Sequence, residues 1–443
     1  MLILAMFLMV FSGLDFAVAE TSKTGTIELS ETKLNVLVGC PETLTCTTSL
    51  SGATITWKSS RNAVATVSDS GRITGKKAGS ATITATATLG ETVISATCAV
   101  TVKSSMKAAY SQTHTVKNYA SQYKSYRRTY GTVIGTAQDG TGGTPDLCIP
   151  GLSEADGMTP QGLAYWEEKD QILISAHDGT DAKRPGVIFV LDAKTGKLVS
   201  QFSVYNEKLT AHTGHMSGIA VSEHNLYLTC GYNRIAYVPL EQLENNDSVL
   251  VIRGRITVDA LNDANASYLG FGDGCIWTGN YYYENSSSYD TPANSKYNSL
   301  ILGYRISGKD SAEEWSNLSA ATAPDYTIQV ANSIDRIQCA FVDGGKLYIN
   351  RSYGRASKSS LMIGAVKLKK TVTVYRIGMI EYTTLPMGEG ICIHDGSLYS
   401  LNESAAYTFM NGDGNGNSKH PSDVIWKTPL SFGLISRLKS LFE

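Results

Sequence analysis

From residue 26 to 103 apolar and polar positions alternate with a period of two, in the runs TIELS, KLNVLVG, ATITWKSS, AVATVSDSGRITG, GSATITATA and ATCAVTVK, with turn residues between them. Such alternation turns one face of each run toward a core and the other toward water, which predicts short strands packed as a two-sheet sandwich. From about 131 to 432 the alternation recurs in a longer unit. Its first strand reads PQGLAYW, SGIAVS, SYLGFG, IQCAFVD and EGICIHD; a turn and a second strand follow as DQILISA, NLYLTCG, GCIWTGN, GKLYINR and GSLYSLN. A third strand completes each unit, and a fourth is read at KLVSQFSV, VLVIRGRITV, DYTIQVA and TVTVYRI in the first four.

A repeat of small antiparallel sheets predicts a β-propeller, here with five blades, or six if the stretch from 267 to 337 hides a degenerate one. The fifth unit has no fourth strand of its own. A ring with an open edge would template aggregation, so TVIGTAQ at 132–138 is expected to supply the missing strand. Between the two domains, residues 104–130 hold five basic residues and no acid, and Tyr119, Tyr123, Tyr126 and Tyr130 recur at helical spacing. That segment is expected to be a short connecting helix packing its tyrosines on the propeller. A tail is left at 433–443. The fold class is therefore all-β, an immunoglobulin-like sandwich followed by a propeller.

Blade geometry also says where chemistry should lie. The first strand descends along the axis and the second returns, so the entrance of the first and the loop after the second open on one face. The entrances carry Gln161, His215, Ser217, Arg336, Gln338 and Glu389. The loops carry His177, Asn280, Tyr281, Arg351, Tyr353, Asn402 and Glu403. Polar side chains converging in a concavity are the expected binding site. Glu389 and Glu403 bracket one blade and could work as general base and stabiliser, with Gln338 beside them, or hold a divalent cation with Asn402.

Two further metal readings are weaker in pattern. His212 and His215 lie three apart before a blade entrance. The run Asp413-Gly-Asn415-Gly-Asn417 alternates oxygen donors like a calcium loop, yet Val424 stands where such a loop needs its glutamate. Ca or another divalent cation is thus a possible cofactor with no defined site.

The segment WKSSRNAVATVSDSGRITGKKAGSATITATA resembles the bacterial immunoglobulin-like domain, group 2. That resemblance implies a spacer or adhesive module of secreted and surface proteins. IQCAFVDGGKLYINRSYGRASKSSL with MGEGICIHDGSLYSLNES resembles the plant-type and bacterial glutaminyl cyclases, five-bladed propellers with Thr-Gln-Gly-Leu, Tyr-Gly-x-Ser-Ser-Leu and Gly-Glu-Gly-Leu motifs. It implies that Gln338 is the motif glutamine and Glu389 the motif glutamate, which handles the proton during ring closure in that family; Cys339 stands where the motif has glycine. A more distant likeness to metal-dependent lactonase and esterase propellers rests on architecture alone.

Composition adds limits. A net charge of -2 gives no field to steer the chain to nucleic acid. The apolar residues 1–19 end in Ala17-Val18-Ala19, so a signal peptide cleaved after Ala19 is expected, although no basic residue precedes it. No later stretch is apolar enough to span a membrane. The eight cysteines do not fall in a disulfide framework and read as small buried hydrophobes. The combined expectation is a secreted, extracellular or cell-surface bacterial protein whose propeller face binds a glycan or peptide, with contact to the cell envelope; the alternative is a propeller enzyme using Glu389.

Overall fold

The computed structural model describes residues 25–118, 121–122, 125–126, 136–137, 148–180, 184–261, 264–284, 296–321, 323–412, 414 and 416–430. The expected signal peptide, residues 119–120, 123–124 and 127–130 of the expected linker helix, the tail and the residues Asp413 and Asn415 lie outside them.

The alternating runs of the first domain form strands. Lys33–Leu37, Thr92–Lys103, Gly79–Leu89 and Thr54–Ser59 make a four-stranded sheet; Glu42–Thr43, Arg72–Gly75 and Ala65–Val67 make a second. Between them lie Val36, Leu44, Val64, Ile73, Ile83, Val100 and Val102, with Trp57 packed against this core. The domain docks directly on the propeller. Leu37 and Cys40 share an apolar cluster with Tyr205, Val249 and Val251, Glu42 pairs with Arg253 at 2.8 Å, and Arg72 donates to the Asn245 carbonyl at 2.9 Å.

Among the described residues five sheets follow, one per unit. Their inner strands are Met158–Trp166, Ile219–Val221, Tyr268–Gly272, Ile337–Asp343 and Gly388–His394. The described residues between 267 and 337 form one blade, with a nine-residue helix, Ser311–Ser319, between its third and fourth strands. Around the axis the inner strands meet backbone to backbone. A Cβ on Gly218 would lie 2.1 Å from the Leu269 nitrogen, and one on Gly390 would lie 2.3 Å from the Leu163 nitrogen, so glycine is required there for blade-to-blade contact. The ring closes as the open edge demanded: Thr136–Ala137 pairs antiparallel with Trp426–Pro429 and becomes the outer strand of the fifth blade.

Two outer strands differ from expectation. TVTVYRI was expected as the fourth strand of unit four, but Thr371–Val374 pairs in parallel with Tyr326–Val330 of blade three. Ile380–Thr384 takes the expected place instead. Likewise Val249–Val251 adds in parallel to Leu198–Tyr205 of blade one, and only Gly254–Thr257 serves blade two. Alternation marks a strand without naming its partner, and a preceding blade's exposed edge is an equally good acceptor.

The linker also differs. Residues 104–115 run without regular secondary structure, and the described helical residues are 121–122 and 125–126. The strap is held by side chains: Gln112 donates to the Cys148 and Gly196 carbonyls, and the buried Asp423 carboxylate accepts from the Thr115 and Val116 amides at 2.7 and 2.9 Å. Tyr126 is buried and donates to the Pro421 carbonyl at 3.0 Å. All eight cysteines are free thiols, seven of them buried.

Candidate functional site at the axial entrances

Three inner strands begin with an irregularity. The register shifts between Pro160 and Leu163, between Ile337 and Cys339, and between Gly388 and Ile391. A bulge takes its residue out of the ladder and re-aims the side chain. The residues freed in this way are Gln161, Gln338 and Glu389. Just before the inner strands, Met216, Arg336 and Met387 take φ values of 47°, 58° and 58°. Each left-handed non-glycine residue costs about 1–2 kcal/mol, and such strain concentrates at functional sites.

The freed side chains meet two carboxyl groups. Gln338 Nε2 donates to Glu389 Oε1 at 3.1 Å, and Gln161 Nε2 donates to Glu403 Oε2 at 2.6 Å. The backbone of Glu389 is fixed as well, because Asn350 Nδ2 donates to its carbonyl at 2.6 Å and the Gly388 amide donates to Ser352 Oγ at 3.0 Å. Glu389 is 4% exposed. Burial, with the Glu403 charge adding to it, holds its carboxyl well above the usual range. Burial also raises Glu403 to about 7, against the opposing effects of the Gln161 hydrogen bond and the Arg355 charge. Two carboxyls that repel each other in one buried site do not ionise together, so burial and mutual repulsion favour a proton held on the pair, with Glu389 the more strongly raised.

On the same face the His177 and His215 rings meet at a tilt of 32°, their centroids 4.3 Å apart. Burial, then the His215 charge, lowers His177 to about 3, and burial lowers His215. Both rings are therefore neutral at pH 7. His215 is nevertheless open to water, as befits a ring lining an opening within the protein mass. On the rim Tyr283 stacks on Tyr353 at 4.2 Å, and the Arg336 guanidinium lies 4.8 and 5.3 Å from the two ring centroids.

The remaining candidates are engaged in holding the blades. Ser217 bonds to Thr229 Oγ1 at 3.1 Å. Asn280 bridges the Asn298 carbonyl and the Leu300 amide. Tyr281 donates to the Ser352 carbonyl, and Asn402 to the Pro386 carbonyl at 3.0 Å. Arg351 is drawn away from the carboxyl pair, to Asp335 at 2.5 Å and Glu381 at 3.2 Å. Among the described residues no three His, Cys, Asp or Glu side chains converge as a metal site. Arg355 was missed by sequence reasoning, since a lone arginine in a loop carries no pattern; its charge reaches Glu403 and its guanidinium lies 4.9 Å from the Phe409 ring centroid.

A cavity of about 1320 Å³ opens at the other end of the axis, where the inner strands turn, and is lined by Tyr165, Asp170, Phe271, Asp273, His394 and Tyr399 among others. Its turns hold left-handed residues of their own, Asp170, Asp273 and Asp395 at φ 53°, 50° and 44°, but the three bulges and the carboxyl pair are at the entrance face, and chemistry is better placed there.

Residues 23–100 match the bacterial Ig-like domain family, group 2. Similar solved structures include the glutaminyl cyclase of Myxococcus xanthus, at 11% identity over 55% of this chain and 86% of that one, with a TM-score of 0.32. Another is the GH43_1 enzyme from Xanthomonas citri complexed with xylose, at 10% identity over 70% and 93%, TM-score 0.40. A third is the β-propeller domain of the Trilobed protease from Pyrococcus furiosus, at 9% over 79% and 86%, TM-score 0.27. Likeness at this level carries nothing about activity. No curated protein matches the sequence. The chain thus joins a bacterial immunoglobulin-like domain of group 2 to a five-bladed β-propeller whose blades are seen directly in the strand order.

Proposed function

We propose that this is a secreted or cell-surface bacterial protein whose propeller binds a glycan or peptide across the axial entrances, with the immunoglobulin-like domain presenting it. The observation that carries this reading is the rim platform: the Tyr283 and Tyr353 stack capped by Arg336, with Tyr353 41% exposed. Aromatic faces beside a guanidinium donor suit sugar rings and peptide planes. Among the described residues no helix is long and apolar enough to cross a membrane.

A second reading, catalysis at the same face, is favoured by one observation, the buried Glu389 and Glu403 carboxyls held by Gln338 and Gln161, both raised by burial. A protonated carboxyl beside one titrating near 7 is suited to general acid and base roles. One set of variants separates the two. Tyr353→Ala is expected to weaken retention on a glycan or peptide panel by about tenfold, the upper end of an aromatic contact. If Glu389→Gln leaves that retention intact and no N-terminal-glutamine peptide or lactone is turned over by the wild type, binding is the function. If wild type turns one over and Glu389→Gln abolishes turnover with the fold intact, the enzyme reading replaces it. Unchanged retention in Tyr353→Ala would remove the platform from either.

A further inference from the structure

We propose that the outer flank of blades three and four, away from the axial site, is a docking patch for an anionic phospholipid surface. Between the edge strand Thr371–Val374 and the outer strand Ile380–Thr384 the chain makes a short turn, Arg376–Gly378. At its tip Ile377 is 99% exposed, and the adjacent Tyr375 is 57% exposed. Beneath the turn lies an apolar groove of about 490 Å³ lined by Leu347, Val366, Val372, Val374 and Met379.

The flank is also positively charged. Lys367, Lys369 and Lys370 are exposed and are not part of the ion pairs formed nearby. Glu381, the acid of this flank among the described residues, is already engaged by Arg351 and Arg376. Lysines beside an edge strand can guard it against pairing with another chain. That role accounts for Lys369 and Lys370 but not for a fully exposed isoleucine on the adjoining turn.

An apolar tip that stands clear of the surface gains burial only in a partner that yields around it. A protein partner needs a pocket of matching shape, whereas the acyl region of a bilayer deforms. Tyr375 suits the interfacial zone, where a ring can be half apolar and half wet. The lysines can lie along the surface with their ammonium groups among phosphates. Each lysine near an anionic surface contributes about 1 kcal/mol, roughly fivefold in partitioning.

The test is co-sedimentation of the full chain with vesicles of phosphatidylglycerol and phosphatidylcholine in equal parts, compared with phosphatidylcholine alone. The expected result is binding to the anionic vesicles only, weakened by raising salt well above 0.15 M, where the Debye length is about 8 Å. Ile377→Asp and the triple change Lys367→Glu, Lys369→Glu, Lys370→Glu should each reduce it by about tenfold or more. Circular dichroism of both variants should match the wild type, since every altered side chain is exposed. Failure of the wild type to bind anionic vesicles overturns the proposal, as does an Ile377→Asp variant that binds equally well. Equal binding to both kinds of vesicle would also overturn it, because the lysines would then have no role. Binding to polyglutamate without binding to vesicles would assign the patch to an acidic protein instead.

Discussion

Glu403→Gln is expected to be about as stable as the wild type at pH 4 and more stable at pH 8, a difference of about 3 kcal/mol built up between those limits. Glu403 has a folded pKa of about 7 against an ordinary value of 4.5. Between these values the folded state holds a proton that the unfolded chain has released, so its contribution to stability is present at low pH and lost as pH rises through 7. A shift of this size corresponds to about 3 kcal/mol at 1.36 kcal/mol per unit. The amide that replaces the carboxyl carries no charge at any pH and escapes the loss. Comparison of the two proteins is essential because histidines act in the other direction. His177, lowered to about 3, and His212, lowered to about 4, are neutral in the fold. Their contribution is present above the ordinary 6.5 and is lost as pH falls toward those values. Both proteins share that acid loss, so it cancels in the difference. Urea unfolding followed by the fluorescence of the buried Trp277 and Trp426 at a series of pH values measures it; a difference that does not change with pH would mean that Glu403 is not held in a dry site.

The second large effect is expected at a carboxylate with no catalytic role. Glu314, on the helix Ser311–Ser319 of blade three, is 2% exposed. It accepts from Ser222 Oγ at 2.5 Å, Asn225 Nδ2 at 3.0 Å and Tyr227 Oη at 2.6 Å, all on blade two. Burial and the Glu314 charge hold the Tyr227 hydroxyl far above its ordinary range. Glu314→Ala leaves three buried donors from blade two without their acceptor. At about 1–3 kcal/mol for each unsatisfied group, and with partial rescue by water, the expected loss is about 3–5 kcal/mol. Glu314→Gln keeps the shape and one acceptor oxygen and should lose less than half of that. Thermal unfolding of the two variants checks the ranking; equal, small losses would mean that the helix is not pinned through this residue.

How much could be read in advance depended on the kind of information involved. The alternation in PQGLAYW and its four counterparts fixes which residues face a core, because a one-residue slip would turn the whole strand inside out. The closing strand near 136 could be anticipated because an open ring is physically costly at its edge. Partner choice could not: TVTV reads the same whether it ends its own blade or caps the previous one. The linker was legible only in part: the described residues of its tyrosine-bearing end are helical at 121–122 and 125–126, but helical spacing there says nothing about residues 104–115, which Gln112 and Asp423 hold without regular structure.

The site was legible in position and partly illegible in direction. Gln161, Gln338, Glu389 and Glu403 do come together, and the bulges that aim the first three lie where strand entrances were placed. Asn280, Arg351 and Asn402 hold equivalent positions along the chain, yet their polar atoms are taken by backbone and neighbouring side chains. Sequence gives a residue's place at a blade mouth, but one bond rotation decides whether it faces the axis or closes a hydrogen bond beside it.

The carboxyl pair is tested most directly by its own titration. With glutamate side chains labelled at the carboxyl carbon, NMR spectra of wild type, Glu389→Gln and Glu403→Gln identify the two resonances and follow each with pH. Glu403 is expected to titrate near 7, and Glu389 to stay protonated beyond the ordinary carboxyl range. Two resonances that both titrate between about 4 and 5, the range of free glutamate, would contradict a shared, dry acid–base pair at the axial entrances.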